Sequence, residues 1–103
     1  VGPENFQVLL ELYLKRTPEN LGRLRLALSA KDADNVRRTA HDIKSTGQAM
    51  GASKLARLAG SIEESAKVEQ LESLEEQVTS LDVEYALVQS QLRKAREGKV
   101  LEG

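Results

Sequence analysis

The sequence predicts an all-α fold: an antiparallel, up-down four-helix bundle with an additional short N-terminal helix. Apolar residues recur at spacings of three and four along most of the 103 residues, which is the period of an amphipathic helix. The chain has one phenylalanine, two tyrosines, no tryptophan and two prolines, whereas β-sheets favour aromatic and β-branched residues. The connections between the periodic segments are short, so sequential helices should be antiparallel neighbours.

Five helical segments are predicted within a single domain that spans residues 1–103. They cover residues 3–16, 18–30, 33–50, 52–67 and 69–97. The first two segments are separated by Thr17, a candidate N-cap, and by Pro18, which suits a first helical position. Residues 99–103 are a candidate disordered or vector-derived tail.

Cap residues set the other boundaries. Asp32 is the favoured N-cap of the third segment, and Gly51 should end that segment because glycine is the common helix terminator. Ser53 is a candidate cap for the fourth segment, and Gly98 should end the last one. The last segment is the longest, so its far end should either pack on the first short helix or project from the bundle.

The third segment carries the residues that matter most for function. Its apolar and small residues follow steps of four, three, four and three, and they form a row that should face the core: Val36, Ala40, Ile43, Gly47 and Met50. His41, the only histidine, follows Ala40 and is therefore rotated by about 100° towards solvent. Arg37, Lys44 and Gln48 lie on the same side of the helix as His41, and Arg38 and Ser45 lie on the adjoining strip.

This arrangement suits phosphoryl chemistry. Neutral imidazole is a competent nucleophile near physiological pH, and Lys44 can pair with the oxygens of a phosphoryl group on it, with assistance from Arg37. Ser45 and Gly47 leave room for an approaching partner. Gly47 costs about 1 kcal/mol relative to alanine inside a helix, and either close helix packing or access to His41 explains it.

Several functions are disfavoured by the sequence. The net charge is −1, which gives no general attraction to nucleic acid, and no apolar run approaches the roughly 20 residues of a membrane span. There is no Gly-rich phosphate loop, and one histidine without paired carboxylates predicts no metal site. Glu63 and Glu64 are interpreted as surface charge. Any Mg²⁺ for the reaction should therefore come from a partner.

The motif resembles a known family. Ala40-His41-Asp42-Ile43-Lys44-Ser45, followed by Met50-Gly51-Ala52 and Leu55-Ala56-Arg57-Leu58, looks like the histidine-containing phosphotransfer (HPt) domains of bacterial multistep phosphorelays and hybrid sensor histidine kinases. The family pattern has a histidine, a lysine three residues later, a glycine or serine, and a glycine ten residues after the histidine. The corresponding residues here are His41, Lys44, Ser45 and Gly51.

The resemblance implies a four-helix bundle of about this size and a phosphocarrier without its own ATP site. His41 would accept the phosphoryl group from the phospho-aspartate of a receiver domain and pass it to a second receiver, with Mg²⁺ supplied by the receiver. Lys44 would stabilise the phosphoryl group, and Gln48 would hydrogen-bond near the site. The implied partners are response-regulator receiver domains, which would dock transiently on the exposed faces of the third and fourth segments.

Two alternatives remain open. One is the histidine-bearing phosphoacceptor domain of a chemotaxis-type histidine kinase, which is fed by ATP through a separate kinase domain. The other is a non-catalytic helical adaptor in which His41 is incidental. We expect a monomer in the cytoplasm, without direct membrane contact, and a parent sensor kinase would tether it to the inner membrane.

Overall fold

The computed structural model describes the backbone of residues 3–102 and the side chains of residues 5–96. The described chain contains four α-helices and no strand: α1 (Pro3–Ser29), α2 (Ala33–Ala49), α3 (Ser53–Lys67) and α4 (Leu74–Glu102). Each helix packs on the next one along the chain, and α4 returns to pack on α1. The prediction of an all-α four-helix fold is thus confirmed, but the additional N-terminal helix is wrong.

The first two predicted segments form one continuous helix, α1. Thr17 does not cap a second helix: it is 2% exposed and faces the core, while Pro18 lies inside the helix on its exposed side. Proline in a helix interior removes one backbone hydrogen bond and costs about 3 kcal/mol, which is why a boundary was predicted here. The buried face nevertheless runs through this point without a shift in spacing, and it comprises Leu10, Tyr13, Thr17, Leu21 and Leu24. Packing of that face on the bundle outweighs the local cost of Pro18.

The N-cap predictions had mixed outcomes. Asp32 caps α2 as predicted, because its Oδ1 accepts a hydrogen bond of 3.2 Å from the backbone N–H of Asn35. Ser53 is instead the first residue of α3, and the cap position belongs to Ala52, whose side chain makes no capping hydrogen bond.

The limits of α4 also differ from the prediction. The helix begins at Leu74 rather than at Glu69, and residues 68–73 form the connection from α3. Its backbone continues through Gly98 to Glu102, so Gly98 does not end it. The prediction of a disordered or vector-derived tail stays a prediction. Residue 103 lies outside the described part of the chain.

All three connections leave the preceding helix through the same kind of turn. After α2, the N–H of Ala52 bonds the carbonyl of Gly47 at 2.8 Å, and the N–H of Gly51 bonds the carbonyl of Gln48 at 3.1 Å. This is the Schellman pattern, which places one residue in the left-handed region, and Gly51 has a φ of 77° as predicted for a helix terminator. Lys31 and Glu69 take the same place after α1 and α3, each with a φ of 56°.

The first and last helices, α1 and α4, are longer than α2 and α3, which carry the predicted site. At about 1.5 Å per residue, α1 and α4 extend about 40 Å, whereas α2 and α3 extend about 25 Å. The far part of α4 packs on the N-terminal part of α1, where Arg96 forms an ion pair with Glu11 and Leu92 is partly buried. Arg25 likewise pairs with Asp82, so α1 and α4 run antiparallel.

Candidate functional site

His41 lies on the outward face of α2, as its position beside the core row predicted. Val36, Ala40, Ile43 and Gly47 are buried and fix the rotation of the helix. The next residue after Ala40 therefore points away from the core, and 53% of the His41 side chain is exposed. The imidazole is thus held on a rigid helix and remains accessible to a partner.

A buried carboxylate from α3 binds the imidazole. Glu63 Oε2 lies 2.9 Å from His41 Nδ1, and only 5% of the Glu63 side chain is exposed. The prediction that Glu63 is surface charge is therefore wrong. Its neighbour Glu64 is indeed on the surface, with 70% of its side chain exposed and a 3.2 Å contact to Lys67.

Lys44 contacts the other oxygen of the same carboxylate. Its Nζ lies 2.8 Å from Glu63 Oε1 and forms an ion pair with it. One carboxylate thus holds both the imidazole and the ammonium of α2, one on each oxygen. We refer to His41, Lys44 and Glu63 as the His–Lys–Glu cluster.

The cluster determines the protonation state of its carboxylate. Burial alone would raise the pKa of Glu63, but the hydrogen bonds and positive charges of Lys44 and His41 outweigh burial and hold the pKa below its usual range. Glu63 is therefore ionised at neutral pH and can only accept hydrogen bonds. Consequently Nδ1 of His41 must be the donor, and in the neutral ring the lone pair lies on Nε2. The carboxylate thus selects the tautomer that leaves Nε2 without a proton.

Close packing of α2 on α3 sets the register that assembles the cluster. A Cβ on Gly47 would lie 3.2 Å from Leu55 Cδ2 and 3.6 Å from the backbone nitrogen of Ala56. With Gly47 placed against Ala56, His41 is six residues back along α2 and Glu63 is seven residues forward along α3, so the two meet. Of the two explanations offered for Gly47, the structure supports close helix packing.

Glu63 and Gly60 belong to the site but are not among the residues that the sequence predicted for it. Gly60 lies under Lys44, because a Cβ added to it would be 3.3 Å from Lys44 Cδ. Both belong to a row on α3 in which small residues, Ala56 and Gly60, precede the carboxylate at helical spacing. Such a row beside the core stripe indicates a close helix neighbour, and a carboxylate in it is placed to meet that neighbour. This signal could have identified Glu63 from the sequence.

The remaining predicted site residues lie around the cluster but outside it. Arg37 Nη2 is 2.9 Å from Asp34 Oδ1, and Arg38 pairs with the other oxygen of Asp34, which holds the pKa of that exposed carboxyl below its usual value. Ser45 and Gln48 are exposed. Gly51 shapes the turn between α2 and α3. The roles predicted for Arg37, Ser45 and Gln48 therefore stay predictions.

A groove lies between α1 and α2, and its lining includes Asp42, the residue that follows His41. It has a volume of about 790 Å³, and Asp42, Ser45, Ala49 and Met50 line its α2 side. Leu9, Leu12 and Tyr13 contribute apolar surface from α1. The groove thus combines small, polar and apolar groups with the charged side chains of Arg16, Glu19 and Arg23.

Neither a metal-binding cluster nor a membrane span is found in the described part of the chain. Among these residues, no group of three or more His, Asp or Glu side chains is arranged to hold a metal ion. None of the described helices combines the length and the apolar character that a membrane crossing requires.

The fold and the site together define a class of protein: a four-helix bundle that presents one exposed imidazole held by a buried carboxylate. A family model described as the Hpt domain matches residues 8–97. The chain therefore belongs to the Hpt-domain family, whose members are the phosphotransfer carriers of phosphorelays.

A solved structure agrees with this assignment. The chain is similar to the crystal structure of histidine-containing phosphotransfer protein B (HptB) from Pseudomonas aeruginosa PAO1. The two are 32% identical with a TM-score of 0.88, and the match covers 91% of this chain and 82% of the other. A search of curated protein sequences gave no match. The carrier function and the family resemblance that the motif around His41 predicted are thus confirmed.

Proposed function

We propose that Nε2 of His41 is the atom that carries the phosphoryl group, which it accepts from a receiver-domain phospho-aspartate and passes to another receiver aspartate. The observation that supports this most directly is the 2.9 Å contact between His41 Nδ1 and the buried carboxylate of Glu63. Because Nδ1 is engaged as a donor, Nε2 has the free lone pair, and it belongs to a side chain that is 53% exposed.

Transfer in both directions requires an in-line approach of the receiver aspartate, the phosphorus atom and Nε2. The receiver supplies the Mg²⁺ that neutralises the phosphoryl oxygens, since this domain is proposed to bind no cofactor of its own. Lys44 lies on the helical turn after His41, and its ammonium is proposed to pair with the phosphoryl oxygens once they are present. The domain then acts as a carrier rather than as an enzyme.

The proposed docking surface is centred on His41. It comprises the exposed faces of α2 and α3 together with the adjoining groove on α1, whose apolar and small groups suit the centre of a transient interface. We further propose that the domain is a monomer in the cytoplasm and that, where it belongs to a sensor kinase, the parent chain tethers it to the inner membrane.

Phosphoryl transfer from a panel of Mg²⁺-bound phosphorylated receivers tests the proposal. We expect acid-labile, alkali-stable label on the wild type and none on His41→Gln, with equal helicity by circular dichroism. Label that persists on His41→Gln would overturn the assignment of His41. Label obtained only with ATP and a chemotaxis-type kinase domain would instead indicate a kinase-fed phosphoacceptor domain, and no label from any donor would indicate an adaptor.

A further inference from the structure

The buried carboxylate of Glu63 has a consequence for the phosphorylated state of the domain. We propose that Glu63 keeps the proton on Nδ1 while Nε2 of His41 carries the phosphoryl group, so that the group arrives and departs without any proton transfer at the ring. This inference rests on the proposed function of His41 and assigns Glu63 as a positioning residue that regulates the lifetime of the phosphohistidine.

The electron balance of the transfer shows why the proton matters. When the Nε2 lone pair forms the N–P bond, the O–P bond of the donor breaks and its electron pair stays on the donor carboxylate. The ring still bears the proton on Nδ1 and is now a cation. In the onward step, the acceptor carboxylate forms a new O–P bond, and the N–P electron pair returns to Nε2. The neutral tautomer that started the cycle is then regenerated with its proton in place.

Loss of the Nδ1 proton would interrupt this cycle. The phosphorylated ring would become neutral, and departure of the phosphoryl group would leave an imidazolate anion, which is a poor leaving group, unless solvent returned the proton first. An opposite charge within about 4–6 Å favours the charged form of a titratable group by about tenfold or more in its occupancy. The Glu63 oxygen is closer than that, at 2.9 Å, and it accepts the Nδ1 proton directly.

The neighbouring charges are compatible with this role. The charged groups in contact with Glu63 are His41 and Lys44, both from α2. The positive charge of Lys44 disfavours a positive charge on the nearby ring. Once the ring is a cation and neutralises Glu63, however, the Lys44 ammonium can turn to the phosphoryl oxygens. Other charged side chains of α2 and α3 form pairs away from Glu63: Asp34 with Arg37 and Arg38, Glu64 with Lys67, and Lys54 with Glu84.

The chain provides a direct spectroscopic test, because His41 is its only histidine. The wild type is phosphorylated with phosphoramidate, a small donor that needs no partner protein, and the ¹⁵N shifts of the ring are followed between about pH 6 and about pH 9. We expect Nδ1 to remain protonated in the phosphorylated ring to at least about one pH unit higher than in a phosphorylated histidine peptide. A ring that titrates together with the peptide overturns the proposal.

Variants test the effect on lifetime. In Glu63→Gln the side-chain amide can donate to an unprotonated Nδ1, so it favours the neutral ring without changing the size of the side chain. We expect the wild-type phosphohistidine to keep a nearly constant decay rate while Nδ1 stays protonated, which is to at least about one pH unit higher than in the phosphorylated peptide. At the upper end of that interval the Glu63→Gln phosphohistidine should decay about tenfold more slowly, and it should approach the wild-type rate in acid.

The controls separate this proposal from its alternatives. Glu64→Gln makes the same change of charge one residue away on an exposed side chain and should decay like the wild type. Glu63→Asp retains a carboxylate and should restore part of the wild-type pH profile. A uniform slowing of Glu63→Gln at all pH values would indicate a purely structural role and would overturn the proposal. Failure of receivers to label the wild type would instead contradict the proposed function, independently of the decay measured after phosphoramidate treatment.

Discussion

The two halves of the bundle are held together in different ways. The half formed by α2 and α3 has short helices, a glycine where the two helices pack closely, and two side chains, His41 and Lys44, that share the carboxylate of Glu63. The half formed by α1 and α4 has helices of 27 and 29 residues, an edge-to-face contact between Tyr13 and Tyr85, and ion pairs near both ends of the contact. We call α2 and α3 the site half, because they position the His–Lys–Glu cluster. We call α1 and α4 the supporting half, because they pack along its side as two long helices.

The sequence predicted these halves unequally. In the site half, the termini of α2 depend on local chemistry, namely the Asp32 cap and the left-handed Gly51, and local chemistry can be read from neighbouring residues. In the supporting half, the continuity of α1 through Pro18 depends on partners distant in the sequence. Helices in proteins draw most of their stability from packing, so a helix-breaking residue such as Pro18 does not by itself end a well-packed helix.

The largest predicted effect lies in the supporting half. Tyr85→Ala removes a buried aromatic ring whose centroid is 6.0 Å from that of Tyr13, and it should lower the free energy of unfolding by about 3–5 kcal/mol. Chemical denaturation followed by circular dichroism measures this loss. The variant should still accept phosphate on His41 at temperatures where it is folded, because Tyr85 lies outside the His–Lys–Glu cluster.

Tyr85→Phe is the matched control for the ring. The Tyr85 hydroxyl is buried and has no hydrogen-bond partner among the described residues, so its removal should change the free energy of unfolding by less than about 1 kcal/mol. If Tyr85→Phe were as destabilising as Tyr85→Ala, the hydroxyl rather than the packed ring would connect α1 with α4.

The site could be predicted from the sequence only in part, for a related physical reason. His41 and Lys44 share one helix, so their spacing alone places them together. Glu63 is 22 residues from His41, and its partnership depends on the register between two helices. That register depends on close packing at Gly47, where an added Cβ would lie only 3.2 Å from Leu55 Cδ2. A carboxylate among polar residues on one helix looks like surface charge until the neighbouring helix is in place.

A smaller effect of the opposite sign is expected at Pro18. Pro18→Ala restores the backbone N–H inside α1, and Pro18 is exposed, so little packing is lost. Part of the roughly 3 kcal/mol cost of an interior proline is offset by its restriction of the unfolded chain, and we expect a gain of about 1–2 kcal/mol in the free energy of unfolding. Denaturant titration measures the gain. A loss of stability would mean that α1 requires the proline to fit the bundle.

The smallest expected effect is a pH-dependent one in the site half, at Glu63. The folded-state pKa of Glu63 is lowered, although burial opposes the shift, because Lys44 and His41 favour the carboxylate. A group with a lowered pKa in the folded state stabilises the protein above its unfolded-state pKa, and that stability is lost as the pH falls through the folded-state value. Relative to Glu63→Gln, the wild type should therefore be more stable by about 1 kcal/mol at neutral pH, and the difference should shrink in acid below the ordinary glutamate value of 4.5.

Denaturation of both proteins at neutral and acidic pH provides the measurement, and Glu64→Gln provides the control. Glu64 is exposed and pairs only with Lys67 in the described structure, so its variant should stay within about 0.5 kcal/mol of the wild type at either pH. A difference for Glu63→Gln that was unchanged in acid would show that the glutamine disturbs packing between α2 and α3. The site half would then depend on shape, as the supporting half does, rather than on the charge of its buried carboxylate.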